Sequence, residues 1–171
     1  NQYERTVLHK ASLRGHLEVV KAILSHSNFT NANQADEDGE TALHWAIRYG
    51  HNEVAMAILS HSKFTNVNQR TNRYGETALH KAICSGRIEV AMAILSHPKF
   101  TNANQANIFG DTALDVARSN GNTKVAEAIL SHSKFTNVNQ VSNFHDGKTV
   151  LNVACTTEVE NVISSYLQPE T

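Results

Sequence analysis

The sequence lacks an excess of charge of either sign. Its 15 Lys and Arg offset 16 Asp and Glu, for a formal net charge of -1, so no basic field draws phosphates and nucleic acid is not an expected partner. It also lacks any run approaching the roughly 18 apolar residues of a membrane span, and the polar start at Asn1 has neither the basic nor the apolar region of a signal peptide. The expectation is a soluble chain without a membrane partner, intracellular and cytoplasmic. Missing as well are a Gly-rich phosphate loop, a nucleophile elbow, a His-Glu-x-x-His helix and a paired-cysteine zinc motif. No catalysis, cofactor or metal is expected.

What is present is one theme repeated. Thr-Val-Leu-His at Thr6, Thr-Ala-Leu-His at Thr41 and Thr77, Thr-Ala-Leu-Asp at Thr112 and Thr-Val-Leu-Asn at Thr149 follow at steps of 35, 36, 35 and 37 residues. A self-similar period of that length is one supersecondary unit stacked on copies of itself. The chain therefore reads as a single all-α repeat solenoid over 1–171, with units at 1–35, 36–70, 71–106, 107–142 and 143–171. A composition 40% apolar and 18% charged is enough to bury its core. Asn1-Gln2 matches the dipeptide that closes later units at Asn33-Gln34, Asn68-Gln69, Asn104-Gln105 and Asn139-Gln140, so the chain is expected to be a piece of a longer protein. Cys84 and Cys155 fall in the first helices of units three and five, too far apart for a bond that needs Cα atoms within about 7 Å. Both are expected to be free thiols, as in a reducing compartment.

The second unit shows how each is built. Asp38-Gly39 is a turn dipeptide, and Thr41 can cap a helix running from about residue 42 to 49. Gly50 ends it, because a left-handed terminal residue costs Gly no Cβ clash. Asn52-Glu53 is then expected to put a cap and a negative charge at the start of a second helix, whose apolar stripe is Val54, Ile58 and Leu59. Neither helix is long enough to stand alone. Small residues at Ala11, Ala46, Ala82, Ala117 and Ala154, and at Ala22, Ala57, Ala93 and Ala128, are expected to let helices approach. Leu8, Leu43, Leu79, Leu114 and Leu151 with Ile23, Ile58, Ile94 and Ile129 form the expected spine.

This pattern of Gly, Thr-Ala-Leu-His, Ala, Gly-His, Glu-Val and Val-Asn closely resembles the ankyrin repeat over nearly the whole chain. The resemblance implies helix pairs joined by short β-hairpin loops at right angles, a concave groove, and protein binding as the usual activity, with no catalysis. The chain departs from the family after helix two, where Ser25-His26-Ser27-Asn28-Phe29-Thr30 and its counterparts from Ser60, Ser96 and Ser131 carry two extra residues each. Phe29, Phe64, Phe100 and Phe135 are expected to plug the gap under the longer loop. Unit five loses the motif His to Asn152 and the interhelix Gly to Glu158, and its second helix stops at Pro169, so it reads as a C-terminal cap.

Ten histidines invite a metal reading, but nearly all fall at repeat positions, one unit apart, too far to share an ion held at roughly 2 Å. His9, His44 and His80 match family residues that hydrogen-bond between hairpins. His26, His61, His97 and His132 are expected to cap the C-terminus of their own second helix, where an imidazolium is favoured.

Specificity in a repeat protein lies where the surface varies over a fixed scaffold. By the resemblance, those positions are the hairpin tips and the last turn of helix one. They hold Lys10, Leu13 and Arg14; Glu37, Asp38, Glu40, Trp45, Arg48 and Tyr49; Arg73, Tyr74, Glu76, Lys81, Cys84 and Ser85; Ile108, Phe109, Asp111, Ser119 and Asn120; Phe144, His145 and Lys148. The candidate protein-binding residues are Glu37, Asp38, Trp45, Arg48, Tyr49, Arg73, Tyr74, Lys81, Ile108, Phe109 and Phe144. Tyr74, Ile108, Phe109 and Phe144 put large apolar groups on successive tips, and clustered aromatics with Arg are characteristic of interface hot spots. The Trp45 register holds Lys10, Lys81, Val116 and Val153 elsewhere, so Trp45 is expected to face the groove without a fixed packing demand. The resulting expectation is a monomeric interaction module that scaffolds or recruits a protein partner. Its rivals are the substrate-targeting domain of a larger enzyme or secreted effector, and a passive spacer.

Overall fold

The structure, a computed structural model, describes residues 5–135, 161–162 and 164–165. Its named helices come in pairs: α1 (Val7–Arg14) with α2 (Leu17–Ser25), α3 (Ala42–Arg48) with α4 (Asn52–Leu59), α5 (Ala78–Cys84) with α6 (Ile88–Leu95), and α7 (Ala113–Ser119) with α8 (Thr123–Leu130). First helices stack on first helices and second on second along the chain, which is the expected all-α solenoid. The features expected of Leu151, Asn152, Cys155, Glu158 and Pro169 in unit five lie outside the described residues.

Each first helix starts on a reciprocal box. The Thr6 hydroxyl accepts from the His9 N–H at 3.3 Å, while His9 Nδ1 accepts from the Thr6 N–H at 3.1 Å. Two of the backbone donors left over at a helix start are satisfied at once, with His filling the place usually taken by Glu or Gln. The same box forms at Thr41 with His44, at Thr77 with His80 and at Thr112 with Asp115. The helix is stopped by glycine: Gly50 has φ 78°, and a Cβ there would also run into the Arg87 guanidinium. Helix two corrects one expectation. Asn52 is its first helical residue and not its cap, and the cap position, His51, makes no side-chain cap bond. Glu53 does sit in the first turn, where the helix dipole favours it.

Of the expected spine, Leu8, Leu43, Leu79, Leu114, Ile58, Ile94 and Ile129 are all within 1% of complete burial, whereas Ile23, in the first described unit, is only half-buried. Ala46, Ala82 and Ala117 are fully enclosed in the first helices. In the second helices the closest packing falls elsewhere than expected. Ala55, Ala91 and Ala126 are fully buried, whereas Ala57, Ala93 and Ala128 are only half-buried and Ala22 is exposed. The shift is two residues, about 200° around a helix, which is why a small residue was assigned to the wrong face.

Phe64 and Phe100 fill the lengthened loops, at 1% and 6% exposure, while Phe29 is half-buried. The loops also interlock. Asn33 Oδ1 accepts from the N–H groups of Thr65 and Asn66 at 2.7 and 2.9 Å, and its Nδ2 donates to Lys63 O at 2.9 Å. Asn68 repeats this one unit on, with Thr101 and Lys99. The loop histidines do not cap their own helix. His61 Nε2 reaches Leu24 O and His132 Nε2 reaches Leu95 O, each at 3.0 Å, so they close the second helix of the unit before. His132 Nδ1 meanwhile accepts from the Lys134 N–H at 3.1 Å, which leaves Nε2 as the nitrogen that donates to Leu95 O. Edge-to-face packing of His97 on Phe64 and His132 on Phe100 completes the ladder.

Candidate functional site

The tips begin with how each hairpin closes. Among the described residues every hairpin is reduced to one antiparallel bridge, Ala35 with Thr41, Arg70 with Thr77 and Ala106 with Thr112. A side chain does the work that a longer strand ladder would do. Asp36 Oδ1 accepts from the N–H groups of Asp38 and Glu40 at 3.1 and 2.9 Å, and Asn107 Oδ1 accepts from those of Phe109 and Asp111 at 2.9 and 3.0 Å. Because the turn is held by a residue below it, the tip side chains are free to vary. Adjacent tips are then tied by backbone: Asn72 N–H donates to Asp38 O at 2.8 Å, and Ile108 N–H donates to Tyr74 O at 2.9 Å. Arg70 adds a guanidinium bond to Ala106 O at 3.1 Å.

The motif histidines pin the same row from below. His9 Nε2 meets Glu40 O at 3.0 Å and His80 Nε2 meets Asp111 O at 3.1 Å, so α1 and α5 each hold the next hairpin, whereas the buried His44 Nε2 makes no such bond. Burial lowers the pKa of all three; His44, fully enclosed and beside Lys81, is pushed down to about 3. They are neutral structural groups. Among the described residues no three His, Cys, Asp or Glu side chains gather into a metal-sized group, and no helix is long and apolar enough to cross a membrane.

Trp45 requires a correction. It is 4% exposed, and its indole N–H donates to Asp36 Oδ2 at 2.9 Å. The Arg5 guanidinium lies over its ring at 4.2 Å, that of Arg48 at 5.2 Å, and Tyr49 stacks at 5.8 Å. Trp45 therefore has a definite packing demand. Lys81 is likewise engaged, with Nζ 3.1 Å from Glu40 and 3.4 Å from Glu76, and Arg48 pairs with the same Glu40 carboxylate. Glu40 is itself buried, so this ion cluster joins units two and three instead of lying open. Of the candidates here, Tyr49 and Arg48 are the ones exposed. Arg5, Asp36 and Arg70 went unassigned by sequence reading; a polar residue five before the motif Thr is the only signal of Asp36.

Two other groups stand at the surface. Glu37 and Asp38 are exposed on the tip of unit two, an acidic point. On units three and four, Tyr74 and Phe109 stack at 6.1 Å, Arg73 lies over Tyr74 at 4.8 Å, and Ile108 is 56% exposed beside them. This is a contiguous apolar patch rimmed by one cation. Cys84, at the end of α5, is an exposed free thiol whose pKa is raised by partial burial and by Glu76. Phe144, His145 and Lys148 lie outside the described residues.

No curated protein matches the sequence. A family model described as ankyrin repeats in three copies matches residues 1–71 and again 64–142. With helix pairs, bridge-closed tips and a Thr box closed by His or Asp recurring in register across that span, the chain belongs to the ankyrin-repeat family.

Proposed function

We propose that this domain binds a protein partner along the hairpin tips of units two to four, and recruits or scaffolds it without catalysis of its own. Ankyrin repeats are in general protein-interaction modules. The observation that carries the reading is the Tyr74, Ile108 and Phe109 patch. Three large apolar side chains stay in water on tips whose own backbone bonds are already met by Asn107 and Thr71. A contiguous exposed apolar surface rimmed by polar groups is a mark of interaction sites.

The charges alongside it describe the partner. From unit two to unit four the tips run acidic (Glu37, Asp38), basic (Arg73), then apolar (Ile108, Phe109). A complementary segment offers a basic, an acidic and an apolar group in that order, at the roughly 10 Å spacing of packed helices, or about three residues of extended chain. Trp45 and Lys81 support this surface from beneath, and Arg48 and Tyr49 border it.

The test is calorimetric titration of a partner recovered with the wild-type domain, using Phe109→Ala and Tyr74→Ala with circular dichroism as the folding control. Central anchors lose about 2 kcal/mol of binding, near 30-fold in affinity. Unchanged affinity in both folded variants would move the interface off the tips, to the Ser-His loop edge.

A further inference from the structure

The outward face of unit one has the composition of an internal face. At the junctions of unit one with two and of unit two with three, four positions are closed by the unit before: Ala42, Val54, Ile58 and Phe64 are no more than 1% exposed, and Ala78, Val90, Ile94 and Phe100 no more than 6%. Their counterparts in unit one are Val7, Val19, Ile23 and Phe29. These are equally apolar, yet Val7 is 67% and Val19 47% exposed, and Ile23 and Phe29 are half-buried. With Leu8 and Ala22 they line an open trough. An end repeat that meets water turns polar on this face.

Polar groups in the same register identify what covers the trough. His61 closes on Leu24 O and His51 on Leu13 O, at 3.0 and 3.2 Å, both carbonyls of the preceding unit's helices. Their counterparts His26 and His16 are exposed. His26 is already set in the donor tautomer at Nε2, because its Nδ1 accepts from the Asn28 N–H at 3.3 Å, as His97 does from Lys99 at 3.2 Å. Thr65 and Asn66 give their N–H groups to Asn33 of the unit before, and Thr30 and Asn31 hold the equivalent places. Two helix carbonyls, an Asn carboxamide and an apolar layer in that spacing are what another repeat presents.

We infer that a further repeat of the same kind, ahead of Arg5 in the same polypeptide, seats on Val7, Val19, Ile23 and Phe29. It offers helix carbonyls to His16 and His26 and a loop Asn to Thr30 and Asn31. This goes beyond the tip surface and does not depend on it.

The test replaces residues 1–4 with a copy of residues 36–75 joined to Arg5, so that a repeat with the right loop precedes unit one. The extended chain is expected to melt roughly 5 °C or more above the parent, as a coupled neighbour stabilises a solenoid. Val19→Lys should abolish that gain while leaving the parent's melting unchanged, and amide exchange at Val20 to Leu24 should slow only in the extended chain. A copy that adds no stability, or stays protease-sensitive beside a resistant parent, overturns the proposal. So does parent self-association in light scattering that Val19→Lys abolishes, since a second copy would then be the occupant.

Discussion

Units two and four close their hairpins with the same turn and do opposite things with it. Asp36 and Asn107 each accept from two backbone N–H groups of their own tip. Asp36, however, has a second carboxylate oxygen, and that oxygen takes the Trp45 indole N–H and faces Arg5 at 3.5 Å. The Asn107 side chain has an amide there, and the Trp45 position is Val116. One scaffold site thus becomes a buried aromatic and ionic pin in unit two and leaves a plain helix beneath an exposed Ile108-Phe109 tip in unit four. The residues that close the two turns, Asp36 and Asn107, are isosteric, and side chains that do not hold the backbone are free to acquire a binding role.

The sharpest break of this contrast is truncation of both aromatics. Trp45→Ala removes a buried ring and leaves Asp36 Oδ2 without its indole donor, so a loss of about 3–5 kcal/mol is expected in urea unfolding. Phe109→Ala gives up a stack on Tyr74 at an exposed tip and should cost about 1 kcal/mol or less. Comparable losses would mean that tip and pin are one structure.

Acid sharpens the contrast from another side. Unit two closes its Thr box with His44 and unit four with Asp115, both buried. His44 stays neutral in the fold because burial, reinforced by Lys81, pushes its pKa from 6.5 down to about 3. Below pH 6.5 the unfolded chain binds a proton that the folded chain refuses. Stability is therefore fully present above 6.5 and falls with pH toward 3, by about 1.4 kcal/mol per unit for each such group. From pH 6.5 to 5 His44 alone should remove about 2 kcal/mol, and His9 and His80, also lowered by burial, add to it. A flat urea midpoint over that range would contradict a neutral buried His44.

The repeat, its helices and its leucine spine were legible because each recurs, and recurrence separates a packing demand from chance. Trp45 was misread by the same logic. A residue that occurs once at a register looks unconstrained, and nothing local shows that Asp36 and Arg5 are folded against it. The loop histidines were assigned to the nearest helix end in sequence, whereas the carbonyls they reach, at Leu24 and Leu95, belong to the previous unit. The exposed tips were readable as large apolar residues in turn positions. That Tyr74 and Phe109 meet across two tips depends on the Ile108 to Tyr74 backbone bond, which no spacing encodes.

The smallest effect on folding, and the most selective on binding, belongs to a tip exchange. Ile108→Glu with Phe109→Asp gives unit four the acidic tip of unit two. Asn107 Oδ1 still accepts from the N–H groups of residues 109 and 111, and Gly110, at φ 85°, still turns the chain. The Tyr74 stack and some exposed apolar area are lost from a tip whose turn is kept, so stability should move by about 1 kcal/mol or less in urea unfolding. Binding should respond quite differently, since the apolar end of the surface becomes acidic and an apolar partner group would have to lie against two carboxylates. Titration with the partner that fits the wild-type tips should show an affinity loss at least as large as for Phe109→Ala alone. Should the exchange instead unfold unit four to the extent of Trp45→Ala, the tip would be part of the scaffold, and the separation of a holding residue from a presenting one would fail at the hairpin where it is drawn most clearly.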